Sequence, residues 1–419
     1  MGKAQKRARP GRKTTEPVKS RFGMDLPAID PSRRNTLILT SVGTKILVAI
    51  MTPVVFGSFL DMFDYGNYYL AIQNILSGMW PWANGSTVYY PPLAFVPMLI
   101  AYGGSLFGGT LGFVALMWVV MAICDIVTVF CVYYIGLKIY REQTAFVAAM
   151  LCATAFSAAY FALTKYDAFP VSIAAVALLA TVYARKNAGY LATIIGLFVK
   201  LWPMVLFPFL WIYNARDSSI WKEGKERAIW FLLAACGAFG LMILAGYNKF
   251  LEYTDLVYCN TIPYLMSRYL QIANLAIPTS AIIAVFRVLI IVAVAGALYW
   301  MYRRPGSVPR MLKMILLVLF VLVFFIQYRS PQYSFWLLPF FALLVAGDLP
   351  GVLAFYGVQV LAYIEFPLAF GVLYVNDHYL NEWAMVFFTL LFVAYGLLLW
   401  RALKAPEPPG APAGKVDAG

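Results

Sequence analysis

The sequence is short of charge. Asp, Glu, Lys and Arg make up 12% of its 419 residues, against about a quarter in an ordinary soluble chain. It holds one histidine, His378, and its five cysteines include no Cys-x-x-Cys pair. A His/Cys zinc centre, a catalytic triad using more than one histidine and a disulfide framework are therefore not expected. Cys124, Cys131, Cys152 and Cys236 fall in apolar runs, where cysteine packs as a small hydrophobe. Of the charged residues the acidic ones are the scarcer, 19 against 32 Lys and Arg, for a net charge of +13. In a soluble protein that excess would point to nucleic acid. Here 62% of residues are hydrophobic, and cytoplasmic loops of membrane proteins collect cations. No nucleic-acid partner is expected.

What is present is a series of apolar runs. A helix crossing a bilayer needs about 20 apolar residues. Candidate spans lie at about 37–59, 112–137, 143–163, 168–184, 228–247, 275–302, 312–327, 334–347, 351–373 and 384–402. The stretch 190–214 is broken by Lys200 and Pro203, and reads as two short helices meeting there or as one kinked span. The segment 91–110 has two Gly-Gly pairs and three prolines, and reads as a short span or, as charge parity favours, a lipid-skimming re-entrant piece. The expected fold is an all-α, polytopic membrane bundle of about 11–13 transmembrane helices. Three units are expected: a disordered basic tail over 1–35, one membrane domain over 36–403 with an outward loop at 60–111, and a disordered Pro/Gly/Ala tail over 404–419.

Orientation follows from Lys and Arg. With both termini in the cytoplasm, 25 of the 32 cations lie inside, ten of them in the first tail. Lys45 and Arg287 fall within spans. Only Lys165, Lys200, Lys249, Arg268 and Arg329 face outward. This is a strong positive-inside pattern. The implied location is the cell membrane or the endoplasmic reticulum.

The outward first loop, from Asp61 to Pro92, carries Asp61 and Asp64 and no Lys or Arg. Asp64 opens a short interfacial helix with Gly78 as its stop. A carboxylate there is favoured by the helix dipole and suits a general base, although a plain N-cap explains it equally well. The same two readings apply to Asp167. The rare outward cations suit a lipid-linked phosphate, Arg as a fork and Lys as a point charge. Lys200, Arg329 and Arg268 are the candidates, against side chains that merely snorkel to the interface. Tyr65, Tyr89, Tyr90, Trp80 and Trp82 offer flat faces for sugar rings and isoprenoid chains, or an interfacial aromatic belt. Asp125, Arg287 and Glu365 lie within spans, where ionisable groups default to functional readings. Asp125 and Arg287 are possible partners, and the three together keep a lipid or solute transporter or flippase in play.

The ordered motifs carry a family resemblance. Asp64–Tyr65 precedes a helix ending at Gly78, then come Tyr90–Pro91–Pro92–Leu93, Cys124–Asp125, Lys165–Tyr166–Asp167 and Lys200–Leu201–Trp202–Pro203. Last come Ser330, Gln332, Tyr333, Trp336 and Pro339. The set resembles the GT-C superfamily of polytopic glycosyltransferases, and within it family 87 and the catalytic subunit of GPI mannosyltransferase I. The resemblance implies transfer of a sugar, often mannose, from a polyprenyl-phosphate sugar to a lipid-linked or glycan acceptor on the outer or lumenal side, with inversion. It implies an acidic base in the first loop. Relatives often have Asp-x-Asp there, whereas this chain has Asp61–Met62–Phe63–Asp64, and alignment on the following tyrosine selects Asp64. Tyr65, Tyr90, Lys165, Asp167, Lys200, Gln332 and Tyr333 are the substrate contacts that the motifs imply, and Arg268 and Arg329 join them as rare outward cations. No cofactor is implied, and divalent metal is left open.

Overall fold

A computed structural model describes residues 18–19, 25–249, 251, 260–304, 306–373 and 382–405. His378, Cys259 and most of both tails lie outside these residues. Apart from a two-residue antiparallel pair, Val18–Lys19 with Asp25–Leu26, the described regular structure is helical.

Helix α1 (Pro31–Val54) starts where Pro31 follows Asp30, whose carboxylate accepts from Arg33 N. Proline suits the first helical position because its missing N–H would have no partner there. Helix α2 (Phe63–Leu76) is the short loop helix, ended by Gly78 at φ 74°. Helix α3 (Phe95–Ile139) is broken at Gly108 and at Gly109, whose φ/ψ of 56°/−141° only glycine adopts readily. The chain there turns back on itself. A Cβ on Gly104 would lie 2.3 Å from the Gly112 carbonyl oxygen, and one on Gly112 would lie 2.1 Å from that of Gly104. The two arms thus meet backbone to backbone. Phe107, at the turn, is 94% exposed.

Helices α4 (Glu142–Ala153) and α5 (Phe156–Thr164) form one span bent by 50°. Next come α6 (Ala168–Val182), α7 (Lys186–Val199) and α8 (Leu206–Asn214). The region 190–214 is therefore two helices, parted by Lys200 and a 3-10 turn at Trp202–Val205. Gly196 lets α7 fold against Pro203, which a Cβ would meet at 2.5 Å. The remainder comprises α9 (Ile220–Glu223), α10 (Ile229–Leu244), α11 (Ile262–Ile272), α12 (Thr279–Arg303), α13 (Val308–Phe325), α14 (Leu338–Val345), α15 (Leu349–Tyr363), α16 (Phe370–Leu373) and α17 (Glu382–Lys404).

Seven described helices are long and apolar enough to cross a membrane, or eight with the bent pair. The chain is a multi-pass integral membrane protein. Apolar helices too short to span alone, such as α6 and α7, account for the larger number expected from hydropathy. They pack inside the bundle, α6 against both α3 and α7.

Two expectations need correction. The segment 91–110 is one arm of a helical hairpin, because its glycines let two helices touch rather than preventing helix. And Asp125 pairs with Lys45, not Arg287. Helix α1 lies on α3, and Lys45 Nζ bonds the Asp125 carboxylate and, at 2.9 Å, Ser41 Oγ. Arg287 instead donates to Gln327 Oε1 at 2.7 Å. A charge at mid-bilayer costs roughly 3 kcal/mol on insertion scales, so the group that packs nearest becomes the partner.

Candidate active site

Four turns converge: the one before α2, the one joining α5 to α6, the one joining α7 to α8, and the one after α13. The first two build an acidic cluster. Lys165 Nζ lies 2.6 Å from Asp61 Oδ2 and 2.8 Å from Asp64 Oδ2, with its side chain 7% exposed. Burial acts to lower the Lys165 pKa, but Asp64 and then Asp61 outweigh it and hold the pKa above the usual lysine value. Lys165 is thus a cation throughout the physiological range.

The two carboxylates differ in what they have left. Asp61 Oδ1 accepts from Phe63 N, two residues on, at 3.0 Å, so both its oxygens are in use. Asp61 N meets the Tyr160 hydroxyl at 3.1 Å, fixing the main chain as well. Asp64 makes no cap bond. Its Oδ2 takes Lys165 and a long 3.4 Å contact from the Tyr68 hydroxyl, and its Oδ1 has no protein partner among the described residues. The Asp64 side chain is the more exposed, at 22% against 16%. Burial first, then neighbouring Tyr90, Asp64, Asp167 and Tyr166, push the Tyr68 pKa well up, so the phenol stays a donor.

The second cluster begins two residues after Lys165. Asp167 Oδ1 accepts from Lys200 Nζ at 2.7 Å and from Trp336 Nε1 at 2.8 Å. Here too the cap reading fails, since Asp167 makes no side-chain bond to α6. Lys200 Nζ sits 4.9–5.8 Å from the ring centroids of Tyr90, Tyr166, Tyr333 and Trp336, an aromatic surround that favours a cation. Beside it lies a cavity of about 390 Å³. Its wall includes Lys200, Gln332, the rings of Tyr89, Tyr90, Trp202, Tyr328, Tyr333 and Trp336, and the apolar Val205, Leu319, Leu322 and Ile326. Tyr166 joins the clusters: its ring contacts Tyr90 at 4.5 Å and Tyr68 at 6.0 Å.

Asp61, Asp64, Tyr90, Lys165, Asp167, Lys200, Gln332 and Tyr333 thus come together. Tyr65, Arg268 and Arg329 do not. Tyr65 is buried against α5 and donates to the Leu163 carbonyl at 2.7 Å. Arg268 lies on α11 and donates to Gln271 at 2.7 Å. Arg329 is 0% exposed and forks onto Glu365 at 2.6 and 2.9 Å, with Asn260 donating to the same carboxylate at 3.3 Å. Trp80 and Trp82 stack on each other 5.2 Å apart, beside Tyr247 and away from the cavity. The motif reading missed Tyr68, Tyr166 and Trp336 as parts of the site. Tyr68 had a signal, standing four residues after Asp64 on the same helical face.

A divalent cation does not fit the acidic cluster. Both Oδ2 atoms already converge on an ammonium, and among the described residues no group of three or more His, Cys, Asp or Glu forms a metal-binding set.

No family model matches the chain, and no curated protein does. Solved structures do. The crystal structure of ArnT from Cupriavidus metallidurans bound to undecaprenyl phosphate is similar, with 16% identity and a TM-score of 0.52 over 90% of this chain and 74% of that one. The oligosaccharyltransferase of Archaeoglobus fulgidus with a tethered acceptor peptide matches at 12% identity and a TM-score of 0.40, over 91% of this chain and 56% of that one. The same archaeon's AglB, in complex with an inhibitory peptide and a dolichol-phosphate, matches at 12% identity and a TM-score of 0.41. The chain therefore has an all-helical membrane fold similar to that of GT-C glycosyltransferases.

Proposed function

We propose that the chain is a GT-C glycosyltransferase that moves a hexose, mannose by the motif resemblance, from a polyprenyl-phosphate sugar to a lipid-linked or glycan acceptor at the outer or lumenal membrane face. One observation carries this reading. A carboxylate with a spare oxygen, Asp64, lies one short turn from an apolar, aromatic cavity whose wall holds a single cation, Lys200. An isoprenoid suits the apolar wall, a phosphate suits Lys200, and a sugar between them lies within reach of the base. The undecaprenyl phosphate bound by ArnT, on a similar fold, supports the same donor class.

The reaction needs two services. The acceptor hydroxyl must lose its proton as its oxygen attacks the anomeric carbon. Charge must be met on the phosphate oxygen as the sugar–phosphate bond breaks on the opposite face, which inverts the centre. Asp64 takes the proton, while Lys165, itself held by Asp61, keeps it in place. Lys200 offsets the phosphate charge as a point cation.

Purified protein incubated in parallel with radiolabelled polyprenyl-phosphate mannose and glucose tests the class and the sugar. Asp64→Asn should lower transfer by about 10²–10⁴-fold with unchanged elution on size exclusion, and full activity in that variant would remove Asp64 from the role. Lys200→Ala should raise the donor KM and lower kcat. An effect on the acceptor alone would count against its phosphate role.

The transporter reading draws less support. Asp125, Arg287 and Glu365 are each engaged by a different partner, Lys45, Gln327 and Arg329, whereas Asp61, Asp64, Lys165, Asp167 and Lys200 gather at adjoining turns.

A further inference from the structure

Among the described residues Lys200 is the one cation in the cavity wall, and no carboxylate stands in that wall. The charge of Lys200 is nonetheless already met. Asp167 Oδ1 lies 2.7 Å from its Nζ, and Asp167 is sealed behind the lysine, 0% exposed. Asp167 therefore reaches a ligand only through its field, which is felt more strongly here than in bulk water. Around Lys200 stand Tyr90, Tyr166, Tyr333 and Trp336, three phenols and an indole that carry no charge at neutral pH. Across the Tyr166 ring, Asp61 and Asp64 share Lys165. The Arg329–Glu365 pair beside the Gln332 turn cancels itself. The gathered site thus holds three carboxylates against two ammoniums and has no positive charge to spare. A neutral donor stands in the wall instead. The Ser330 hydroxyl donates to Gln332 Oε1, which leaves the Gln332 amide N–H groups to donate.

The lipid changes charge as the proposed reaction runs. A lipid-phosphate sugar is a phosphodiester with one negative charge. As the acceptor oxygen bonds the anomeric carbon, the sugar–phosphate C–O bond breaks and its electron pair stays on the phosphate oxygen. The acceptor proton passes to Asp64. The lipid product is a phosphomonoester, which carries about −1.5 to −2 at pH 7 because its second pKa is about 6. Once Asp64 returns its proton to water, the excess carboxylate faces a dianion. We infer that Asp167, acting through Lys200 and not on the ligand, balances the site so that it holds the singly charged phosphodiester and releases the doubly charged phosphomonoester. Asp167 is then a positioning residue whose service is product release. The same balance sets the site against sugars carried on a diphosphate. This rests on the reading of the cavity as a lipid-phosphate sugar site.

The test uses the full chain in nanodiscs of zwitterionic lipid. Binding of polyprenyl phosphate and of polyprenyl-phosphate mannose is measured from about pH 5.5 to about pH 7.5, either side of the second phosphate pKa. Wild-type affinity for polyprenyl phosphate should fall by about tenfold as pH rises through that range. The mannose lipid has no proton to lose there, so it reports any titration of the protein itself. Asp167→Asn removes the charge and keeps Oδ1 as acceptor for Lys200 and Trp336. At the upper pH it should bind polyprenyl phosphate about tenfold tighter than wild type does, a larger gain than for the mannose lipid, and added polyprenyl phosphate should inhibit its transfer more strongly. A variant in which both lipids change by the same factor shows a merely structural role and overturns the inference. If Asp167→Asn does not fold, the wild-type series decides. A fall for polyprenyl phosphate that the mannose lipid does not share supports the balance. The same pH response for both lipids sinks the balance alone, and binding of neither sinks the cavity reading with it.

Discussion

Arg329 illustrates how far a residue's role depends on contacts made through space. Its motif position, in a turn beside Gln332 and Tyr333, suits a phosphate clamp. In the folded chain its guanidinium is spent on Glu365, between the rings of Phe324 and Phe392. The pair ties the cavity turn to the end of α15, where Phe366 lies 5.9 Å from Lys165 Nζ. Arg329 therefore braces both halves of the site without touching either ligand. Removing one partner of a buried pair strands the other charge, at about 3–5 kcal/mol. Arg329→Ala should lower the thermal unfolding midpoint markedly, and the double change Arg329→Met with Glu365→Leu should recover much of it. Equal midpoints for wild type and Arg329→Ala would contradict the brace. Asp64 and Lys200 were legible as candidates because the Lys/Arg distribution assigns so few charges to their side of the membrane. Their partners were not. Nothing in the order of residues says that Lys165 bridges two aspartates 101 and 104 positions earlier, or that Trp336 reaches Asp167.

At the scale of elements, the hairpin within α3 was half legible. Its Gly-Gly pairs announced a break, but glycine spacing alone does not distinguish a break in helix from a contact between helices. The contact decides it. Tyr69 of α2 packs on Tyr102 from one arm and Phe113 from the other, at 5.5 and 5.4 Å, so the hairpin positions the helix that carries Asp64. Gly112→Val should push the arms apart, lowering both thermal stability and transfer. Gly66→Ala, at a helical position with open space around it, should leave both near wild type. Equal behaviour of the two variants would count against the hairpin as a support for the loop. The break at Lys200 was also half legible: Lys200 and Pro203 marked it, but left two short helices and one kinked span both open, and the packing of the fold decides for two helices.

At the scale of the molecule, the membrane class was plain from composition, and the helix count was not. Hydropathy counts apolar runs, and α6 is apolar because it is buried in the bundle and α7 because it packs on α6, though neither is long enough to span alone. The proposed orientation follows from the distribution of Lys and Arg and has its own check. With a membrane-impermeant maleimide on intact cells, Ser77→Cys at the end of α2 should label and Ser218→Cys should not, each in a background lacking the native cysteines. The reverse pattern would invert the chain and place the site on the cytoplasmic face.

Lys165, Tyr166 and Asp167 belong in turn to the acidic cluster, the aromatic bridge and the second cluster, around Lys200. Lys165 is extended, at φ −133° and ψ 166°, and two residue steps cover at most about 7 Å. Lys165, which pairs with Asp64, and Asp167, which pairs with Lys200, are therefore held at a spacing set by a length of main chain. Point changes here weaken one cluster or the other. Only adding or removing a residue alters that spacing itself, so this tripeptide is where the register of the two clusters is kept.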